Sequence, residues 1–270
     1  STLFPYTTLF RSIEDLERCL RKEAGFYRLS GCIDADKAHL SRTIGGEGKS
    51  RLIVTHNEIR ARELSQDLFF FEKKVLLYPA KDILFFQADL HGNELVRQRI
   101  MGLKALLTEE EPCIVTSFDA LMNGTPDRKE FSEAVLRVHP GDSLDLTKLT
   151  ETLVSLGYER DFEANMPGIF AVRGGILDIF PLSEQDPYRI EFWGDEVDSI
   201  RLFDAESQRS LENIGEAVIF PATELGKNGG SASLLSWFSP ESTVVFLDEP
   251  ARCLESAKLT ETEFRESMER

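Results

Sequence analysis

The sequence is short of positive charge. Its 31 lysines and arginines stand against 47 aspartates and glutamates, a formal net charge of -16. Such a chain lacks the positive field that draws phosphate backbones. That argues against a free-standing DNA-binding module and for a basic or neutral protein partner. Cysteine is equally sparse: Cys19, Cys32, Cys113 and Cys253 are scattered, with no C-x-x-C pair. The spacing argues against a zinc site and a disulfide framework, and it fits a reducing cytoplasm. No apolar run approaches the ~20 residues of a bilayer-spanning helix, and no signal peptide is visible. A complete phosphate loop is missing too. Gly45-Gly-Glu-Gly-Lys-Ser50 ends like one, but position 43 is Thr43 where the pattern needs glycine. A strand-type run, Arg51 to Thr55, then follows where a helix is required. The segment reads as a solvated turn, and no cofactor is expected in this chain.

The two ends need separate treatment. Thr2 to Ser12 reads TLFPYTTLFRS, the string that a common sequencing-adapter oligonucleotide gives when translated in frame. Residues 1–12 are therefore set apart as an assembly artefact, as a tag or scar would be. The other end lies within a charged helical stretch, TETEFRESMER, and the expectation is of a fragment at both ends.

What is present alternates. Arg51 to Thr55 is a short β-branched run. Thr55-His-Asn-Glu58 then has capping-box spacing, and Ala61, Leu64 and Leu68 follow on one helical face. Lys74 to Tyr78 and Cys113 to Ser117 are further strands, separated by a helix that Asn93 can cap and that carries Leu95, Ile100, Leu103, Leu106 and Leu107. Apolar strands alternating with helices imply a covered parallel sheet. The rhythm changes near Asp127. A strand from Ala134 to Val138 ends in the turn His139-Pro-Gly-Asp142, and Gly157 closes a short helix, Leu149 to Leu156. Hairpin strands follow at Gly168 to Val172, Gly175 to Phe180, Tyr188 to Trp193 and Glu196 to Phe203, with Gly194-Asp195 as a tight turn. Val218 to Pro221 and Val244 to Leu247 then read as buried strands of another α/β segment. Between them Gly226 to Ser231 reads as a flexible connection. The expected fold class is α/β, a parallel sheet with an antiparallel α+β domain inserted. Residues 13–126 form its first part, 127–206 the insert and 207–270 the second part.

Two constellations could carry chemistry. Val244 to Leu247 ends in Asp248-Glu249, as many nucleotide-hydrolysing enzymes end the strand that presents their magnesium carboxylate and water-orienting glutamate. With no phosphate loop to serve, the pair reads as a structural remnant. The longer string is Gly168-Ile-Phe-Ala-Val-Arg-Gly-Gly-Ile-Leu-Asp-Ile-Phe-Pro181, then Tyr188 to Arg201, Phe203-Asp204, Gln208-Arg-Ser210 and Ile219 to Glu224. Upstream stand Val54-Thr-His-Asn57, Leu76-Leu-Tyr-Pro79 and Arg97-Gln-Arg-Ile100. From about Leu29 to Glu249 this resembles the N-terminal, UvrB-like module of the bacterial transcription-repair coupling factor (Mfd) family.

That resemblance implies a degenerate RecA-like sheet, of P-loop NTPase type without Walker A. It implies UvrA as partner, and the downstream motor domains of the same protein as another. RNA polymerase and DNA are reached only through that downstream part, an ATP-dependent translocase. It places UvrA contacts at Arg160, Arg173 and Phe180, with a third arginine position held by Ala171. Arg160 and Arg173 are expected on one exposed face, and a salt bridge from Arg173 to Glu191 or Asp178 is the structural alternative. The phosphate-loop slot falls near Leu29 to Asp36, which has no Gly-Lys pair and two acidic residues. The connection between Leu225 and Leu234 is shorter than the family's. A UvrB-type nucleotide-dependent helicase subunit and an autoinhibitory module masking the UvrA surface are the alternative functions.

Overall fold

The computed structural model describes residues 15, 18, 25–45, 48–81, 91–224 and 230–268. The N-terminal string 1–12 and residues 225–229 of the 225–234 connection lie outside them. In chain order the elements are α1 (Asp34–Gly45), β1 (Ser50–Thr55), α2 (Glu58–Phe71), β2 (Val75–Tyr78), α3 (His91–Thr108), β3 (Cys113–Ser117), α4 (Phe118–Met122), α5 (Arg128–Glu133) and β4 (Leu136–Val138). There follow α6 (Leu146–Ser155), β5 (Glu159–Arg160), β6 (Ile169–Arg173), β7 (Ile176–Ile179), β8 (Tyr188–Trp193) and β9 (Glu196–Phe203). The last are β10 (Ser210–Asn213), β11 (Ala217–Ile219), β12 (Thr243–Leu247) and α7 (Pro250–Met268), with two 3-10 turns before β12. Two compact units result. One takes the described residues up to Ala80, Glu110–Ala120 and those from Phe238 onward; the other takes the described residues within Lys81–Glu109 and Leu121–Trp237. Among the described residues no helix is long and apolar enough to cross a membrane.

The first unit holds the expected parallel sheet, in the order β12-β1-β3-β2 with every pairing parallel. Ala61, Leu64 and Leu68 of α2, spaced for one face, pack with Ala38, Ile53, Val75, Cys113 and Val115 into one core. The start of α2 differs from the sequence expectation. Thr55 is still in β1, so it cannot cap, and its hydroxyl donates to the Asn57 carbonyl at 2.8 Å. Asn57 is the cap, its side chain accepting from the Arg60 N–H at 2.8 Å. Glu58 is thereby released from the box and accepts from the Ala80 N–H and the Ser117 hydroxyl. The last strand also differs. Val245 and Leu247 are 51% and 53% exposed rather than buried, because β12 is the sheet's edge and pairs with β1 alone among the described residues.

The second unit is a six-stranded sheet, β10-β9-β8-β7-β6-β5, antiparallel except where β5 joins β6. Its period-two alternation sends Phe170, Leu177, Ile179, Ile190 and Ile200 to one fully buried face. The strand expected at Val218 to Pro221 is Ala217–Ile219, and it pairs antiparallel with β4 instead of extending an α/β segment. Three residues with a proline two positions on can close a short ladder but cannot run through a central sheet. Helix α3 begins at His91, two residues before the expected cap, and packs in this unit. Its Arg97 donates to the Leu182 carbonyl at 3.1 Å, and Lys104 pairs with Glu184 at 2.7 Å. Arg99 and Glu224, 2% and 5% exposed at the side chain, meet at 2.8 Å. The Arg97-Gln-Arg-Ile100 and Ile219 to Glu224 strings are thus two halves of one buried ion pair.

Candidate functional site

The β6–β7 hairpin places the candidate site. Its turn is Gly174-Gly175, with Gly174 at φ 62°, a conformation that costs glycine nothing. The Phe192 N–H donates to the Gly175 carbonyl at 2.8 Å. A Cβ on Gly175 would stand 2.9 Å from the Phe192 carbonyl oxygen, so the close approach of β8 needs glycine here. The turn leaves Arg173 as the last residue of β6, opposite Ile176, which in turn lies opposite Glu191.

Residues opposite one another across paired strands share a face of the sheet. On the face away from the apolar core, Ala171, Asp178, Arg189 and Arg201 form one row, and Arg173, Ile176, Glu191 and Ser199 form the next. Asp178 is 1% exposed at its side chain. It accepts from Arg189 through Nε at 2.7 Å and Nη2 at 2.9 Å, and from Arg173 Nη2 at 2.5 Å. Two guanidinium groups thus share one buried carboxylate. The hydrogen bonds that it donates to Asp178 hold the Arg189 guanidinium above its ordinary pKa against the opposing effect of burial. Arg189 also lies 4.5 Å from the Phe203 ring centroid, a stacking that suits a planar cation. In the next row Glu191 is taken by Arg201 and the Ser199 hydroxyl. Of the two partners the sequence allowed Arg173, the structure therefore uses Asp178, and the arginine's side chain stays 46% exposed.

The other named residues fall elsewhere. Arg160 is exposed on β5, but it lies opposite Phe170 of β6, three residues from Arg173. An odd spacing along a strand reverses the face, so Arg160 and Arg173 do not share one, contrary to the sequence expectation. Both lie toward the same sheet edge, because β5 is only two residues long. Phe180 is 7% exposed and packs with Ala164 and Phe203, under the ring that carries Arg189. Ala171, where the resemblance places a third arginine, is 1% exposed beside Asp178. Sequence reasoning missed Arg189 as the second cation on Asp178. The signal for it was the alternation of Tyr188-Arg-Ile-Glu191, which puts Arg189 and Glu191 on the non-core face.

In the parallel unit the Asp248-Glu249 remnant has internal partners. Asp248, 5% exposed at its side chain, receives Lys37 Nζ at 2.8 Å and Arg60 Nε at 2.9 Å. Arg60 continues to Asp34 at 2.7 Å. Burial works against the charge of Asp248, but hydrogen bonds from Lys37 and Arg60 outweigh it and hold the carboxyl below the usual range. Glu249 has φ 53° and pairs with Arg252 at 3.0 Å. Asp34 and Asp36, the acids of the phosphate-loop slot, open α1. Lys49 donates to the Glu241 carbonyl at 2.6 Å and leads directly into β1.

Residues 136–225 match the model of the UvrB interaction domain. The chain is 32% identical over 200 residues to a transcription-repair-coupling factor of Bacillus subtilis, covering 73% of this chain and 17% of that protein. It is 29% identical over 231 residues to UvrABC system protein B of Thermotoga neapolitana, covering 79% of this chain and 34% of that protein. A transcription-repair-coupling factor of Staphylococcus haemolyticus is 32% identical over 178 residues, or 65% of this chain and 15% of that one. The chain therefore spans about a third or less of the relatives it matches. Residues 136–225 therefore carry a UvrB interaction domain, and most of the chain, with its parallel sheet and its antiparallel unit, is similar to transcription-repair-coupling factors and to UvrABC system protein B.

Proposed function

We propose that the antiparallel unit docks UvrA, and that the chain serves a transcription-repair coupling factor by bringing UvrA-linked excision repair to a stalled RNA polymerase. The observation that carries this is Arg173. It is a half-exposed guanidinium at a hairpin end, preorganised by a buried carboxylate that Arg189 also holds, inside the segment matching the UvrB interaction domain. Two cations on one carboxylate leave an excess positive charge, which a carboxylate on the partner can take bidentately. Arg160 joins the contact if UvrA wraps the β5 edge, and Phe180 supports the surface from beneath through Phe203. The chain itself uses no nucleotide. The acid that would serve a magnesium ion is engaged by Lys37 and Arg60, and among the described residues no Gly-Lys-Ser loop stands between a strand and a helix.

The similarity to UvrABC system protein B supports a second reading, a nucleotide-dependent helicase subunit. Calorimetry separates the two. The docking reading expects UvrA to bind the chain and Mg-ATP to give no saturable heat. Arg173→Ala is expected to weaken UvrA at least about tenfold, since losing a charged partner at an interface costs about 2–5 kcal/mol. Unchanged UvrA binding by a folded Arg160→Ala/Arg173→Ala double mutant would sink the docking reading. ATP binding abolished by Lys49→Ala would favour the helicase reading.

A further inference from the structure

Trp193 stands outside the Arg173–Asp178–Arg189 cluster. It ends β8, next to the Gly194-Asp195 turn, and 84% of its surface is exposed. Scattered apolar residues on a surface are ordinary, but an exposed indole at a fixed position is not. Its position is fixed. Trp193 pairs with Glu196 across the hairpin, Gly194 turns at φ 64°, and the preceding Phe192 N–H is bonded to the Gly175 carbonyl. The register of the hairpin shifts between Glu191 and Phe192, but the extra residue, Asp198, is on β9. Strand β8 therefore keeps its alternation, and Trp193, two residues beyond Glu191, shares the face of Arg173 and Ile176 roughly 7 Å further along the strand. Both residues stand at the end of the sheet marked by the Gly174-Gly175 turn. Tryptophan and arginine are the side chains that most often dominate an interface when they stand together.

We propose that Trp193 is the apolar anchor of this docking surface, and that it inserts into an apolar slot of UvrA beside the carboxylate that takes Arg173. The inference rests on the docking reading above. The match of residues 136–225 to the UvrB interaction domain argues for the partner, and the half-exposed Arg173 on the same face argues for a carboxylate beside the slot. The rigid hairpin argues for the anchor, because an indole held by a tight turn loses little freedom on insertion.

Binding of UvrA to the full chain and to Trp193→Ala, Trp193→Phe and Arg173→Ala is measured beside hydroxyl-radical footprinting of the complex. Trp237, 1% exposed, serves as the internal control. The proposal expects Trp193 to be protected from oxidation in the complex while Trp237 is unchanged. Trp193→Ala should bind at least about tenfold more weakly, with an unaltered melting temperature, and Trp193→Phe should retain most of the affinity. If Arg173→Ala weakens binding while Trp193→Ala does not, and Trp193 is oxidised equally with and without UvrA, the anchor is refuted and the docking reading stands. If neither variant weakens binding, the docking reading fails and the anchor with it.

Discussion

Replacing Asp178 by asparagine tests whether one carboxylate organises the polar face of the antiparallel sheet. Asp178 is 1% exposed and takes three hydrogen bonds from two guanidinium groups. Asparagine keeps the size and removes the charge, which leaves Arg189, 15% exposed, without its counter-ion and facing a second cation. Breaking a buried pair in this way costs about 3–5 kcal/mol. Arg173→Ala is the informative contrast. It removes a 46% exposed partner, while Asp178 keeps its two bonds to Arg189. An ion pair that exposed is screened by solvent, and its loss costs about 0.2–1 kcal/mol. For a chain of this size each kcal/mol moves the melting temperature by about 2–4 °C. Asp178→Asn should then melt about 6–20 °C below the parent and Arg173→Ala no more than about 4 °C below it. Thermal and urea melts followed by circular dichroism read both, with the two compact units allowed separate transitions. A double replacement, Asp178→Leu/Arg189→Leu, should recover part of the loss because it strands no buried charge, the half-exposed Arg173 remaining solvated. Asp178 does not organise this face if Asp178→Asn lies within about 1 kcal/mol of the parent, or if Arg173→Ala costs as much as Asp178→Asn.

Two further outcomes are expected. Glu224→Gln should destabilise the antiparallel unit by about 3–5 kcal/mol, since Arg99 is nearly fully buried against it. A double-mutant cycle with Arg99→Met in urea melts should return a coupling energy, and additive losses would show that the two residues act independently. Asp248 makes the parallel unit sensitive to acid. Its folded pKa is held below the ordinary carboxylate value, so its contribution is fully present above about pH 4 and is lost as pH falls through the folded value. The melting-temperature gap between the parent and Asp248→Asn should therefore stay constant from about pH 8 to pH 5 and shrink below about pH 4. A gap that does not change on acidification would mean that Lys37 and Arg60 do not stabilise the ionised form.

The sequence by itself determined what depends on neighbours along the chain. The β-branched runs Arg51 to Thr55 and Cys113 to Ser117 could only be buried strands, and they pair in parallel. Tyr188 to Trp193 and Glu196 to Phe203 carry their own period of two and their own Gly-Asp turn, and their bounds match the strands in the structure. The resemblance string pointed to the same hairpins, whose interaction-domain match is the comparison most specific to function. Tertiary structure decided everything that depends on a distant partner. Glu224 is matched by Arg99 at a separation of 125 residues, and Asp248 by Arg60 at 188. Composition and spacing do not say which of 31 cations reaches a given acid. The same holds for strands that read alike: Ala217–Ile219 joins β4, and Thr243–Leu247 becomes an exposed edge, because an apolar run fixes burial preference but not its neighbour. Arg160 and Arg173 show the limit most directly. Both were legible as arginines of one motif, yet strand register turns them to opposite faces, since a shift by an odd number of residues reverses every side chain.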